Sequence, residues 1–115
     1  MAPDTVNPDG TTEEERIILA RCYALNGERD KALTLLEQII DATTRQGRLI
    51  NKTRALLTIA IVHSHHREWD AAADALLNAI RCAATAQYYQ MFFDEHSFLQ
   101  PALLRLQEQG HQGWW

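Results

Sequence analysis

Slid against itself by 40 residues, the sequence meets its own pattern at core and turn positions, and this self-similarity limits the fold more than any other feature. Ala20 falls on Ala60, Glu28 on Glu68, Asp30 on Asp70, Ala32 on Ala72, Leu36 on Leu76 and Ile40 on Ile80. Leu19 meets Ile59, and Cys22 meets Val62. A period of this length marks a chain built from a recurring supersecondary unit, whose copies stack to bury a face that one unit cannot bury alone. The recurring alanines say how each unit packs, because two helices approach to about 8–10 Å only where small side chains sit at the contact. Ala20 with Ala32, then Ala60 with Ala72, provide such contacts.

Local signals divide each unit into two helices. Thr12 followed by Glu15 has the T-x-x-E spacing of a capping box and predicts a helix start. Ile17, Leu19-Ala20 and Tyr23-Ala24 then recur at helical steps as far as Asn26-Gly27, where glycine supplies the left-handed residue that ends helices. A second amphipathic run carries Ala32, Leu33, Leu35-Leu36 and Ile39-Ile40 to Gln46-Gly47. Helices joined by so short a turn lie antiparallel. A third run from Leu49 to His65 and a fourth from Trp69 to Ala86 repeat the plan, and a short last helix is expected over Ser97 to Gln107. No stretch alternates with period two for long enough to make a strand. Residues 1–11, with Pro3, Asn7-Pro8 and Asp9-Gly10, read as a disordered tail, and residues 111–115 as a C-terminal tail.

The bulk properties exclude several classes of function. A chain of 115 residues is one domain, long enough to hold a core without disulfide or metal staples. Cys22 and Cys82 stand far apart and outside any CxxC pair, which gives a reduced, cytoplasmic setting and two unreactive, buried thiols on apolar helix faces. The net charge of −4, with both signs mixed along the chain, offers no basic face for phosphates, so no direct nucleic-acid binding is expected. No apolar run reaches the ~20 residues of a membrane helix.

Catalytic and metal chemistry find little support. The stretch IVHSHHREWD holds His63, His65 and His66, three of the five histidines. His63 takes the register position of Tyr23, an inward one. His65-His66-Arg67 takes that of Leu25-Asn26-Gly27, the turn between helices. No thiolate or carboxylate stands at a matching spacing, so no metal site is expected. His63 reads instead as a half-buried core polar group, and a turn histidine as the residue that tolerates left-handed backbone where glycine is lost. Glu13-Glu14-Glu15 lies in a first helical turn, where it complements the macrodipole. There is no Gly-rich phosphate loop, no GxSxG and no HExxH. No catalytic residue and no cofactor are therefore expected.

The alanine of the first helix, the turn, and a second-helix alanine followed four residues later by leucine resemble the tetratricopeptide (TPR) signature, here in a variant with longer helices. The implied fold is all-α, an antiparallel helix-hairpin (TPR-like) α-solenoid of two 40-residue repeats over residues 12–110 with a C-terminal capping helix. The second half narrows the resemblance. Gly47-Arg48-Leu49-Ile50-Asn51, the alanine-rich repeat from Arg54 to Ala86, and the closing phrase YYQMFFDEHSFLQPALL together resemble the end of the sensor region in MalT-like, LuxR-type transcriptional regulators. In that family a "GR..N" segment opens a helix and an "F-x-D-E-G" phrase closes the superhelix. His96 stands here where the family usually has glycine.

That resemblance implies a non-catalytic effector-sensing domain for a small-molecule inducer or a regulatory protein. The alternative is a stand-alone adaptor for a peptide or partner protein. Two repeats leave apolar end faces, so either a last helix carrying Leu103, Leu104 and Leu106 caps one end or a second copy stacks there as a homodimer, with Trp114-Trp115 as a further apolar contact. A ligand or partner is expected on the concave surface. Its wall would include Ile17, Arg21 and Ala24 from the first helix, and Arg54, Leu57, Ile61, Ser64 and His65 from the third. Arg21 and Arg54 stand out, since a guanidinium can hold a carboxylate or a sugar hydroxyl through forked hydrogen bonds. Tyr88, Tyr89, Phe92 and Phe93 offer an aromatic wall or core.

Overall fold

The computed structural model describes residues 12–110, so both expected tails and Trp114-Trp115 lie outside the described residues. Within them the chain is all-α: α1 (Glu13–Leu25), α2 (Arg29–Gln46), α3 (Leu49–His65), α4 (Trp69–Ala86), α5 (Gln90–Asp94) and α6 (His96–Glu108), with no strand. α2 and α4 begin and end 40 residues apart, and α1 and α3 end 40 apart. The short α5 breaks out of the segment between Gln87 and Ser97, for which no helix is expected from the sequence.

Thr12 caps α1 by accepting the Glu15 N–H at 3.2 Å, while its hydroxyl donates to the Glu15 carboxylate at 3.1 Å. The glutamate of the box thus meets the capping hydroxyl. Four helices stop in the same way, α4 through the Tyr88 N–H and the Ala83 carbonyl at 3.2 Å. Glu28 N–H reaches back to the Tyr23 carbonyl at 2.8 Å, Arg48 N–H to Thr43 at 3.0 Å and Glu68 N–H to His63 at 2.9 Å. This six-residue closure needs a left-handed residue just before the donor. Gly27 (φ 83°) and Gly47 (φ 68°) supply it without steric cost, but Arg67 (φ 59°) holds the position in the second connection. The left-handed residue of the histidine turn is therefore Arg67, and His66 before it has an ordinary φ of −95°. Gln87 (φ 55°) plays the part of Gly47 at the end of α4.

Antiparallel pairs α1–α2 and α3–α4 each close over fully buried alanines: Ala20 and Ala32 in the first, Ala60 and Ala72 in the second, with Leu36 and Leu76 equally buried beside them. Ile17, Leu35, Ile39, Ala55 and Val62 complete one apolar cluster. Leu57, Ala79 and Ala83 belong to another, which Met91, Phe92, Leu99 and Leu106 close from α5 and α6. α6 packs on both α3 and α4. It buries Leu103 and Leu106, whereas Leu104, expected to share the contact, is exposed because it lies on the far side of the helix. Of the aromatic group, Phe92 is core, and Tyr88 and Tyr89 pack half-buried against it.

The carboxylates at the start of α1 do more than face a dipole. Glu13 is buried; Oε2 accepts from Arg48 Nη2 and Oε1 from Asn51 Nδ2 at 2.9 Å. The spacing of Arg48 and Asn51 at the head of α3 brings both to one carboxylate on α1. Two further groups of Arg48, Nε and Nη1, are buried with no hydrogen-bond partner among the described residues, so its charge relies on Glu13. Glu13→Ala is accordingly expected to cost about 3 kcal/mol, the penalty of stripping a buried cation of its counter-charge, as read from urea unfolding. Arg67→Gly should act in the opposite direction. Relief of the left-handed strain outweighs the added chain entropy, and the same assay should show a gain of up to about 1 kcal/mol.

Candidate functional site

On α3, Arg54, Leu57, Ile61 and Ser64 recur at steps of three and four, which lines them along one side of the helix. That side, the facing residues of α1 and the incoming cap enclose two adjoining clefts. The larger, about 320 Å³, is walled by Arg21, Ala24 and Leu25 of α1, by Ile61, Val62, Ser64 and His65 of α3, and by Ser97 and Pro101 of α6. The smaller, about 210 Å³, runs from Ile17 and Arg54 to Tyr88, Met91, Asp94 and Glu95. Arg21 and Ile61 belong to both.

Every residue expected on the concave wall lies in these clefts: Arg21, Ala24, Ile61, Ser64 and His65 in the larger, Ile17, Arg54 and Leu57 in the smaller. The two arginines are engaged within the fold. Arg21 grips Glu95 through both terminal nitrogens, Nη1 to Oε1 at 2.6 Å and Nη2 to Oε2 at 3.4 Å, and Arg54 pairs with Glu14. Glu95 sits between α5 and α6, so its bond to Arg21 ties the first helix to the C-terminal cap. The sequence offered no cue to this contact over 74 positions. Ser97 and Pro101 were likewise outside the expected wall, although the Gln100-Pro101 step was visible. Pro101 has no N–H for the Ser97 carbonyl four residues back, which opens the helix ladder beside the larger cleft.

The histidine cluster is a structural junction. His63 Nδ1 lies 3.1 Å from Glu68 Oε1, and the same carboxylate accepts Arg29 Nε and Nη2, each at 2.6 Å. Arg29 opens α2 and Glu68 precedes α4, so the two inter-helix turns are clamped together. His65 is exposed and stands edge-on to the half-buried His66, with ring centres 5.3 Å apart. Among the described residues no three His, Cys, Asp or Glu side chains converge as a metal set would. Cys82 is buried, its thiol 3.5 Å from the Leu49 carbonyl, but Cys22 is exposed, which corrects the expectation of two buried thiols. Val62, which holds the matching register position in the second hairpin, is buried against the first.

No protein-family model, curated protein or solved structure matches the chain. No helix among the described residues is long and apolar enough to cross a membrane.

The hydrogen bonds from Arg29 and then His63 hold the Glu68 carboxyl down at about 2, well below its ordinary value of 4.5. A group whose pKa is depressed by folding contributes stability above its unfolded value, and that contribution drains away as pH falls toward the folded one. The stability gap between the natural chain and Glu68→Gln, tracked by urea unfolding, is expected to be constant above about pH 5.5 and to narrow steadily from there to pH 2.

Proposed function

We propose that this chain is a TPR-like sensing domain, two 40-residue helix-hairpin repeats with a C-terminal capping helix, of the kind found in MalT-like, LuxR-type transcriptional regulators. It acts without catalysis and without a cofactor, by taking up a small effector on its concave face in the cytoplasm. The observation that carries the reading is the larger cleft. At about 320 Å³ it falls at the lower end of the size range of small-molecule sites. Its wall is mainly apolar with a few polar groups, the pattern such sites use to bury a ligand body and fix its orientation. It also lies where three separate helices meet, so an occupant touches the beginning, middle and end of the chain at once.

Support for the family comes from two places. The "GR..N" spacing has a physical task, since Gly47 closes α2 and Arg48 and Asn51 converge on Glu13. In the closing phrase, Phe92 enters the core and Glu95 reaches back to Arg21.

A second reading, an adaptor for a peptide or a partner protein, is favoured by one observation. Leu25, on the rim of the larger cleft, is 72% exposed, and Ile18 on the same helix is 61% exposed. A partner helix, or a second copy stacked on the end of the array, would cover such side chains.

Thermal-shift screening of the full chain against small polar-apolar compounds separates the two. The sensing reading expects compounds that raise the melting temperature of the natural chain and fail to do so in Ser64→Phe, whose ring fills the cleft. If no compound acts while Leu25→Asp abolishes binding to a helical peptide, or Ile18→Asp converts a dimer to a monomer in light scattering, the adaptor reading takes its place.

A further inference from the structure

Charge placement in the larger cleft points to the class of effector, an inference that rests on the sensing function proposed above. Of the described side chains on its wall, Arg21 alone carries a permanent charge; the Glu95 carboxylate lies on the wall of the smaller cleft. The surroundings of Arg21 in the larger cleft are Ala24, Leu25, Ile61, Val62 and Pro101, with the Ser64 hydroxyl oxygen buried and lacking a hydrogen-bond partner among the described residues. A cationic ligand would find no carboxylate among the described residues of this wall, and Glu95 is already taken up by Arg21. A wholly apolar one would remove water from a guanidinium and a hydroxyl without replacing it. A carboxylate matches the fork of the guanidinium, as Glu95 already demonstrates by engaging both of its terminal nitrogens. That pair is one-third exposed on the arginine side, open to exchange.

We propose that the larger cleft binds a small monocarboxylate with an apolar body, whose carboxylate takes the place of Glu95 on Arg21 and thereby unties the C-terminal cap from the first helix. Glu95 immediately precedes α6, so its release is felt first at the turn that carries Ser97 and the cleft wall. Occupancy is thus reported at the far end of the chain by the exchange of one carboxylate for another. No covalent step is involved.

Three probes with one apolar body separate the headgroups: 4-phenylbutyrate, 4-phenylbutanol and 4-phenylbutylammonium, titrated into the uniformly labelled full chain and monitored by amide NMR. The acid should bind about tenfold or more tighter than the alcohol, as expected for charge-assisted hydrogen bonds. It should shift the amides of Ala24, Ile61 and Ser64 together with the first turn of α6. Glu95→Gln, which removes the competing charge, should tighten the acid several-fold, leave the alcohol unchanged and by itself reproduce part of the α6 shifts. Arg21→Gln should bring acid and alcohol to equal affinity, with Arg21→Lys between, since it keeps the charge and loses the fork. Unchanged alcohol binding in each variant reports an intact cleft. If the alcohol equals the acid in the natural chain, or the ammonium binds best, the carboxylate assignment is overturned while the sensing function stands. If the acid binds but Glu95→Gln weakens it or α6 stays silent, the exchange is overturned. If none of the three probes moves the cleft amides, the assignment and the sensing function fall together.

Discussion

The contact on which the rest of the molecule depends is that of alanine against helix. Ala20 and Ala32 in the first hairpin and Ala60 and Ala72 in the second have no accessible surface, and side chains this small let two helices approach closely. Such contacts contribute little area apiece. Their value is geometric: a larger side chain at any of them would push the helices apart, and neighbours such as Leu36 and Leu76 would lose the close packing that their burial requires. The turn chemistry has its origin in the same constraint, because helices held so close must reverse direction within three residues. A left-handed residue is then unavoidable, even where the sequence supplies arginine instead of glycine.

Charged contacts have a different distribution from apolar ones. Within a hairpin the cohesion is mainly hydrophobic, with polar contacts such as Arg16 to Gln38 beside it, whereas several ion pairs join the first hairpin to the second and to the α5–α6 junction. Glu13 meets Arg48 at the head of α3, Arg29 meets Glu68 at the second turn, and Arg21 meets Glu95 at the cap. The Glu68 carboxylate is shared with His63, so this turn is tied both to its own helix and to the neighbouring hairpin. Ion pairs of this kind need matched positions and say little about packing density, which suits them to fixing the offset between one hairpin and the next.

Helix positions, the antiparallel pairing and the principal core residues were legible in the sequence because they obey local rules: apolar spacing, a capping box and glycine at the turns. The residues expected on a concave wall line the two clefts for a related reason, since they are one stripe of α3 and the facing positions of α1. The partners of the arginines were not legible. Arg21 finds Glu95 across most of the chain, and no local pattern encodes a distance of that kind. The burial of Glu13 was hidden as well, because a carboxylate in a first turn is explained well enough by the helix dipole. Periodicity also could not tell that Cys22 and Leu104 face outward, since whether an apolar position is covered depends on which elements arrive beside it.

The two apolar clusters have separate memberships, with half-buried Ile59 packing against both. The wall of the larger cleft draws on both: Ala24 and Val62 belong to one cluster, and Ile61 packs against the other. α3 supplies Ala55 and Val62 to one cluster and Leu57 and Ala60 to the other, so a single helix carries the join between them. An occupant that touched both parts of this wall would therefore bridge the two clusters by contacts that neither interior provides.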